Sequence, residues 1–368
     1  MRLSTVLSIL PCLLATSPAS AATPANESGA TAYPTLGTIE RLDPRFDQLL
    51  PRDAVLEKLA EGFKWSEGPV WIGQAGSSIH AGGAAGGPPP ASPVAVPRGG
   101  YLLFSDIPSN AVMKWQDGEG ISVFLKPSGY TGTTPRGGEL GSNGLTLDAA
   151  GRLVLCQHGD RRIVRREADG RWTTLVDRYQ GKRLNSPNDL VFKSNGDLYF
   201  SDPPYGLPRG TGDPTRELDF SGVFRVSAVD GKVTLLTREL TGPNGIAFSP
   251  DEKILYVSQS EPQKAVWMAY PVKGDGTLGP GRVFYDATRW TKTLKGLPDG
   301  MKIDRSGNLF AVGPGGINVF SPDGTLLGRI NPDQPTSNCA FAEDGSVLYI
   351  TANHYLCRIK TSTKGEGF

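Results

Sequence analysis

The sequence predicts an all-β fold, a six-bladed β-propeller closed by an N-terminal strand. Three observations carry that expectation. A two-strand pattern is written repeatedly along the chain, each copy opens on a polar residue, and Asp-Gly turns mark further outer strands. The clearest copy runs from Ser186-Pro187-Asn188-Asp189 through Leu190-Val191-Phe192 and Asn195-Gly196 to Leu198-Tyr199-Phe200-Ser201-Asp202. Asn-Gly favours the positive-φ pair of a type I′ hairpin turn, so the two apolar runs read as paired strands. Other copies begin at Asn143, Asn244, Asp299 and Asn338. From Asn143 to Asn338 the five leaders are 45, 56, 55 and 39 residues apart. Repeats of that size, made of strands and turns, are propeller blades rather than solenoid turns.

Taken in order, the chain opens with Arg2, an apolar run from Leu3 to about Ala15, and Ala19-Ser20-Ala21. This is the pattern of a cleaved secretory signal over residues 1–21, too short for a membrane anchor, and it predicts export to a periplasm or beyond the cell. Residues 22–41 are expected to be a disordered leader, being small and polar over most of their length. Residues 42–368 are expected to form one propeller. Its approach segment includes a short element near 53–60, and Ser66-Glu67-Gly68-Pro69-Val70-Trp71 begins the first blade. A Gly-, Ala- and Pro-rich insert at about 74–98 has almost nothing to bury and reads as a mobile loop. Glu67, Asn143, Asn188, Asn244, Asp299 and Asn338 lead six strand pairs. Asp169-Gly170, Asp230-Gly231, Asp275-Gly276 and Asp323-Gly324 mark outer turns. The last blade, ending near Ile359, is one strand short, and a strand from the 42–62 region would complete it and remove the open edge.

Composition narrows the function. The chain has 38 Lys and Arg against 37 Asp and Glu, a net charge of +1 that loses Arg2 with the signal. Neither a nucleic-acid footprint nor attraction to an anionic membrane follows from that balance. Beyond the signal remain Cys156, Cys339 and Cys357, which form neither a disulfide framework nor a zinc spacing. Cys339 and Cys357 fall near each other in the last blade, either bonded or both reduced. Nucleophile-elbow, His-Glu-x-x-His, Walker and dinucleotide motifs are all missing from the sequence, which disfavours nucleophilic serine and redox-cofactor chemistry.

In a propeller the first strand of each blade lines the central channel, so leaders far apart in sequence meet at one mouth. Glu67, Asn188, Asn244 and Asp299 then offer two carboxylates and two amide carbonyls, hard oxygen donors of the kind that hold Ca²⁺ or Mg²⁺. Asn and Asp before Gly are also ordinary turn residues. Their recurrence at one phase of successive repeats is what favours a shared site. His158 and His354 follow the second strands of their blades and could act as proton carriers or oxyanion donors there, with Tyr205 near His158.

Ser66-Glu67-Gly68-Pro69-Val70-Trp71, Ser186-Pro187-Asn188-Asp189, Asn244-Gly245 and Gly296-Leu297-Pro298-Asp299-Gly300, in that order, resemble the gluconolactonase/regucalcin (senescence marker protein) family, in its microbial gluconolactonase-like branch. The resemblance runs from about Glu61 to Ile359. It implies a six-bladed propeller with a divalent metal in the channel, Ca²⁺ first and Mg²⁺, Mn²⁺ or Zn²⁺ as alternatives. It implies Glu67, Asn244 and Asp299 as metal ligands, Asn188 on metal or substrate, and Asp299 as general base. The animal members' Arg-x-Asn-Asp has Ser186 here in place of Arg. The expected function is metal-dependent hydrolysis of a sugar (aldono) lactone such as glucono-1,5-lactone. Asp299 and His158 are the catalytic candidates, and Asn143, Asn188, Tyr205 and His354 the substrate contacts. An organophosphate or ester hydrolase on the same site, or a non-catalytic propeller that binds a sugar or a protein, are the alternatives.

Overall fold

In a computed structural model the described residues are 33–73 and 99–368. The expected signal peptide, residues 22–32 of the leader, the insert and His80 lie outside them. Residues 34–368 form one compact unit.

Six antiparallel sheets account for almost all of it. Blade 1 is Ser66–Ile72, Tyr101–Asp106, Ala111–Gln116 and Gly120–Leu125. Blade 2 is Ser142–Leu147, Leu153–Gln157, Arg162–Arg166 and Trp172–Val176. Blade 3 is Leu190–Phe192, Leu198–Asp202, Gly222–Val226 and Val233–Thr237, and blade 4 is Pro243–Phe248, Ile254–Gln259, Val266–Pro271 and Arg282–Asp286. Blade 5 is Met301–Ile303, Leu309–Gly313, Gly316–Phe320 and Leu326–Asn331. Blade 6 takes Asn338–Ala342, Val347–Ala352 and Tyr355–Lys360, and its outer strand is Glu57–Glu61, paired antiparallel with Tyr355–Lys360. The inner strands touch one another in ring order, from blade 1 round to blade 6 and back. An N-terminal strand thus completes the last sheet, as the missing fourth strand required.

The start of the chain does more than the sequence indicated. Thr38–Arg41, placed with the disordered leader by its composition, pairs with Leu326–Asn331 and gives blade 5 a fifth strand. Its partner is a regular, otherwise unpaired edge, and a free row of N–H and C=O groups accepts a short strand whatever its side chains. Phe46, Leu50 and Leu56 then fill the groove between blades 5 and 6, fully buried against residues such as Ile317, Ile330 and Leu348.

Two local expectations need correction. The Asn195-Gly196 turn is not type I′: only Gly196 has positive φ, at 88°. Gly196 N donates to Lys193 O, and Lys193 N to Asp197 O, giving a type I turn that ends on a left-handed glycine. The Asp-Gly turns share this form, with Asp169, Asp230, Asp275 and Asp323 each accepting the backbone N–H two residues on. A disulfide between Cys339 and Cys357 is excluded by register. Both pair with Ile350, one on each side of its strand, so about two strand spacings of roughly 4.8 Å separate them. Cys156, Cys339 and Cys357 are buried free thiols.

The two ends of the channel differ. One end is a cavity of about 510 Å³ lined by the inner strands, with side chains such as Trp71, Phe192, Phe248 and Phe341 and the C-terminal Phe368. The leading polar residues gather at the other.

Candidate active site

Each leader is presented by the same backbone irregularity. Register shifts by a bulge after Glu67 in blade 1, after Ser142 in blade 2 and after Pro243 in blade 4. In blade 3 both Asn188 and Asp189 bond the single residue Ser201, and in blade 5 both Asp299 and Gly300 bond Val312. A bulge lets two residues face one and re-aims a side chain that would otherwise alternate, which is why bulges recur beside functional sites. Blade 6 repeats the irregularity one residue earlier than the sequence indicated: Ser337 and Asn338 both face Thr351, so Ser337 holds the leader position and Asn338 the slot that Asp189 fills in blade 3.

Four leaders are followed by glycine because the ring is tight. A Cβ on Gly68 would stand 2.2 Å from Asn143 O, one on Gly144 2.7 Å from Asn188 O, and one on Gly245 2.2 Å from Asp299 O. At Gly300 it would meet the Asn338 amide at 2.0 Å. Each glycine is therefore the contact between one blade's leader and the next. Gly245→Ala is expected to destabilise the protein by about 1–3 kcal/mol through overpacking and to lower activity by displacing Asp299. Urea unfolding and turnover of the one variant read both effects.

Glu67, Asn143, Asn188, Asn244 and Asn338 are all nearly inaccessible. Glu67 Oε2 accepts the N–H of Gly68, and the Asn338 amide faces both Glu67 and Asp189, favouring their charged forms. The carboxyls of Glu67 and Asp299 touch. Among the described residues five oxygens have no donor: Asn143 Oδ1, Asn188 Oδ1, Asn244 Oδ1, Asp189 Oδ2 and Asp299 Oδ1. A buried acceptor left alone costs about 1–3 kcal/mol, so five in one ring require something to meet them.

Charge points the same way. Burial, then the Asp189 carboxylate, push Glu67 up to about 8. Burial and then Glu67, Asp189 and Glu139 hold Asp299 far above the usual carboxylate range. Burial raises Asp189, opposed chiefly by Lys302. Three carboxylates in a dry site repel one another unless a cation stands among them. Among the described residues no three His, Cys, Asp or Glu side chains form a metal-holding group alone. The donor set is mixed, carboxylate with amide carbonyl, and all of it is hard oxygen. That fits a divalent cation of the Ca²⁺ or Mg²⁺ type.

The other sequence candidates divide. Tyr205 belongs to the mouth: its hydroxyl lies 3.5 Å from Ser260 O, and burial and then Asp299 raise its pKa. His158 is fully enclosed, with Nδ1 2.9 Å from Glu139 Oε2 and Nε2 facing no partner. Gly206 lies so close above it that a Cβ there would meet the His158 side chain at 2.7 Å. In this arrangement His158 supports the Tyr205 loop and offers substrate no surface. Among the described residues His354 bonds none of the leaders. It is exposed in the turn between the second and third strands of blade 6, its Nδ1 2.6 Å from Phe63 O. A turn at that position, between the second and third strands, lies further from the axis than the leaders.

Sequence reasoning missed Asp189, Asn338 as the bridging amide, and Glu139. Asp189 had a signal, since it fills the slot that is glycine after four other leaders. Glu139 had none, because it sits on the 126–141 segment between blades, outside the repeat.

Comparison with known proteins agrees with this architecture. The chain is 41% identical over 339 residues to the gluconolactonase of Zymomonas mobilis, covering 90% of this chain and 88% of that one. The pentonolactonase XacC of Haloferax volcanii is 28% identical over 216 residues, covering 56% of this chain and 66% of its own. Among solved structures, XC5397 from Xanthomonas campestris, described as a gluconolactonase, superposes with a TM-score of 0.71 at 32% identity, over 90% of this chain and 99% of that one. Residues 89–354 match the SMP-30/gluconolactonase/LRE-like region. A six-bladed propeller with carboxylate and amide leaders ringed at one mouth, and this breadth of similarity, make the chain a member of the SMP-30/gluconolactonase/LRE-like family.

Proposed function

We propose that this protein hydrolyses a sugar lactone, an aldonolactone such as glucono-1,5-lactone, at a divalent cation held by Glu67, Asn188, Asn244 and Asp299. The observation that carries the reading is the ring of buried, donorless oxygens around three carboxylates, in a chain similar along nearly its whole length to a gluconolactonase. A bound cation of this kind supplies Lewis acidity at the lactone carbonyl.

The chain's own residues do the rest. Asn143 lies at the same bulge phase as the ligands, and its free carbonyl can accept from a sugar hydroxyl. Asp299 Oδ1, buried and unpaired, takes a proton from the attacking water. Water oxygen bonds to the carbonyl carbon, the ring C–O bond breaks, and the proton passes to the departing ring oxygen, leaving the open hydroxy acid. Tyr205 closes the side of the mouth. Ca²⁺ is the first candidate cation, since amide carbonyls and carboxylates would suit its flexible shell. We also take the protein to be exported, on the signal pattern of residues 1–21.

The test is acid release in a pH-stat by purified mature protein, on glucono-1,5-lactone and on an organophosphate, with Ca²⁺, Mg²⁺, Mn²⁺ or Zn²⁺ supplied after chelation. Lactone turnover above the spontaneous rate with one cation supports the reading. Turnover of the organophosphate alone, or of neither, overturns it.

A further inference from the structure

A second site lies outside the channel. A cavity of about 380 Å³ opens between the 126–141 segment, the turn after the second strand of blade 2, and the segment from Leu207 that continues the Tyr205 loop. Four arginines line it: Arg136, Arg161, Arg183 and Arg209. We propose that this cavity binds a small oxyanion, a carboxylate or phosphate head group on a sugar-sized body.

The charge balance carries the proposal. None of the four guanidiniums takes part in an ion pair among the described residues. Arg136 donates to Gly159 O and Gly206 O, and Arg183 to Asp160 O. Arg161 donates to Leu184 O at 2.6 Å and Thr215 O at 2.7 Å. Backbone carbonyls thus fix the forks without neutralising them. The two carboxylates in the wall are already engaged. Asp160 bonds Arg162 and Thr131, while Asp213 accepts from Thr215 and from the N–H of Arg209. Glu217 and the buried Asp202 also sense Arg161. Glu217 Oε2 accepts the N–H of Arg183, and Asp202 spends both oxygens on those of Asn185 and Ser186.

Arg161 is the built element. It is only 2% exposed, yet among the described residues its Nη2 has no acceptor. Its backbone holds a left-handed φ of 61°, a conformation a long side chain adopts only under constraint. A buried guanidinium with an unspent Nη2, beside three more arginines in the same wall, supplies positive charge and N–H donors of the kind that hold carboxylate and phosphate. Arg183 and Arg136 also depress the Arg161 pKa, beyond the effect of burial, as expected of like charges held together. The volume exceeds what a bare oxyanion needs and falls within the range of small-molecule pockets.

Isothermal titration of the full mature chain at fixed ionic strength tests this, using inorganic phosphate, gluconate and glucose 6-phosphate in turn. Saturable binding of at least one is expected, and the strongest identifies the head group. Arg209→Ala and Arg183→Ala should each weaken it by roughly tenfold or more. Among the described residues the Arg209 side chain makes no hydrogen bond and that of Arg183 only one, to Asp160 O, whereas Arg161→Met removes two bonds that tie down Leu184 and Thr215. Asp299→Asn should leave the binding unchanged, which separates this cavity from the channel and makes the result independent of lactone hydrolysis. No saturable binding of any of the three, or binding that both Arg183→Ala and Arg209→Ala retain in full, overturns the proposal.

Discussion

Replacing Asp299 by Asn is expected to lower lactone turnover by about a thousandfold or more while leaving the fold intact. Asn keeps the shape and one carbonyl oxygen, so the contacts of Asp299 N with Val312 O and of Ser258 with Asp299 O survive. What is lost is the proton acceptor at Oδ1. Stability should move the opposite way. Asp299 packs against Glu67, with Asp189 and Glu139 close by. Removing its charge relieves that crowding, and the chelated variant should unfold at a higher temperature than the chelated parent. Turnover within tenfold of the parent would show that another group activates the water. Lost turnover with lost stability would mean the residue is structural.

Cation removal is the second large effect, and it carries a pH signature. Without a counter-ion the folded Glu67 carboxyl is raised from its ordinary 4.5 to about 8. A folded pKa above the unfolded one means the native state binds the extra proton. The chelated protein is therefore most stable below about 4.5 and loses stability as pH rises towards 8, by something on the order of 3–5 kcal/mol from this group. Asp189 and Asp299 are raised as well and act in the same direction. Adding Ca²⁺ should then raise Tm much more at pH 8 than at pH 5. Thermal melts of EDTA-treated protein across that interval measure it. A flat profile that no cation alters would remove the metal from this mouth.

Legibility differed sharply between the repeat and what lies between repeats. Glu67, Asn143, Asn188, Asn244 and Asp299 could be named from sequence because each sits at a fixed phase of a strand pair, and a propeller turns equal phase into equal height on one axis. Asn338 lies one residue past that phase, Ser337 being the leader of blade 6, so its amide faces Glu67 and Asp189 from the slot that is glycine in four other blades. His158 and His354 also share a phase, yet one is sealed beneath Gly206 while the other bonds Phe63 at the surface. Loops of different length cover the two turns, and no period records loop length. Glu139 and the four arginines of the second cavity lie wholly in such loops or at their margins.

By itself the sequence determined the all-β class, the number of blades, the need for an N-terminal closing strand and the polar residues at one mouth. Strand alternation and turn chemistry are local, and a repeat multiplies a local signal until it is unmistakable. Only the tertiary structure decided which oxygens are left without donors, that Asp189 adds a third carboxylate, and that Thr38–Arg41 becomes a strand. It alone also separated Cys339 from Cys357 and gathered unpaired arginines outside the channel. Those outcomes depend on desolvation and on neighbours supplied by other blades, and both come into being only when the ring closes.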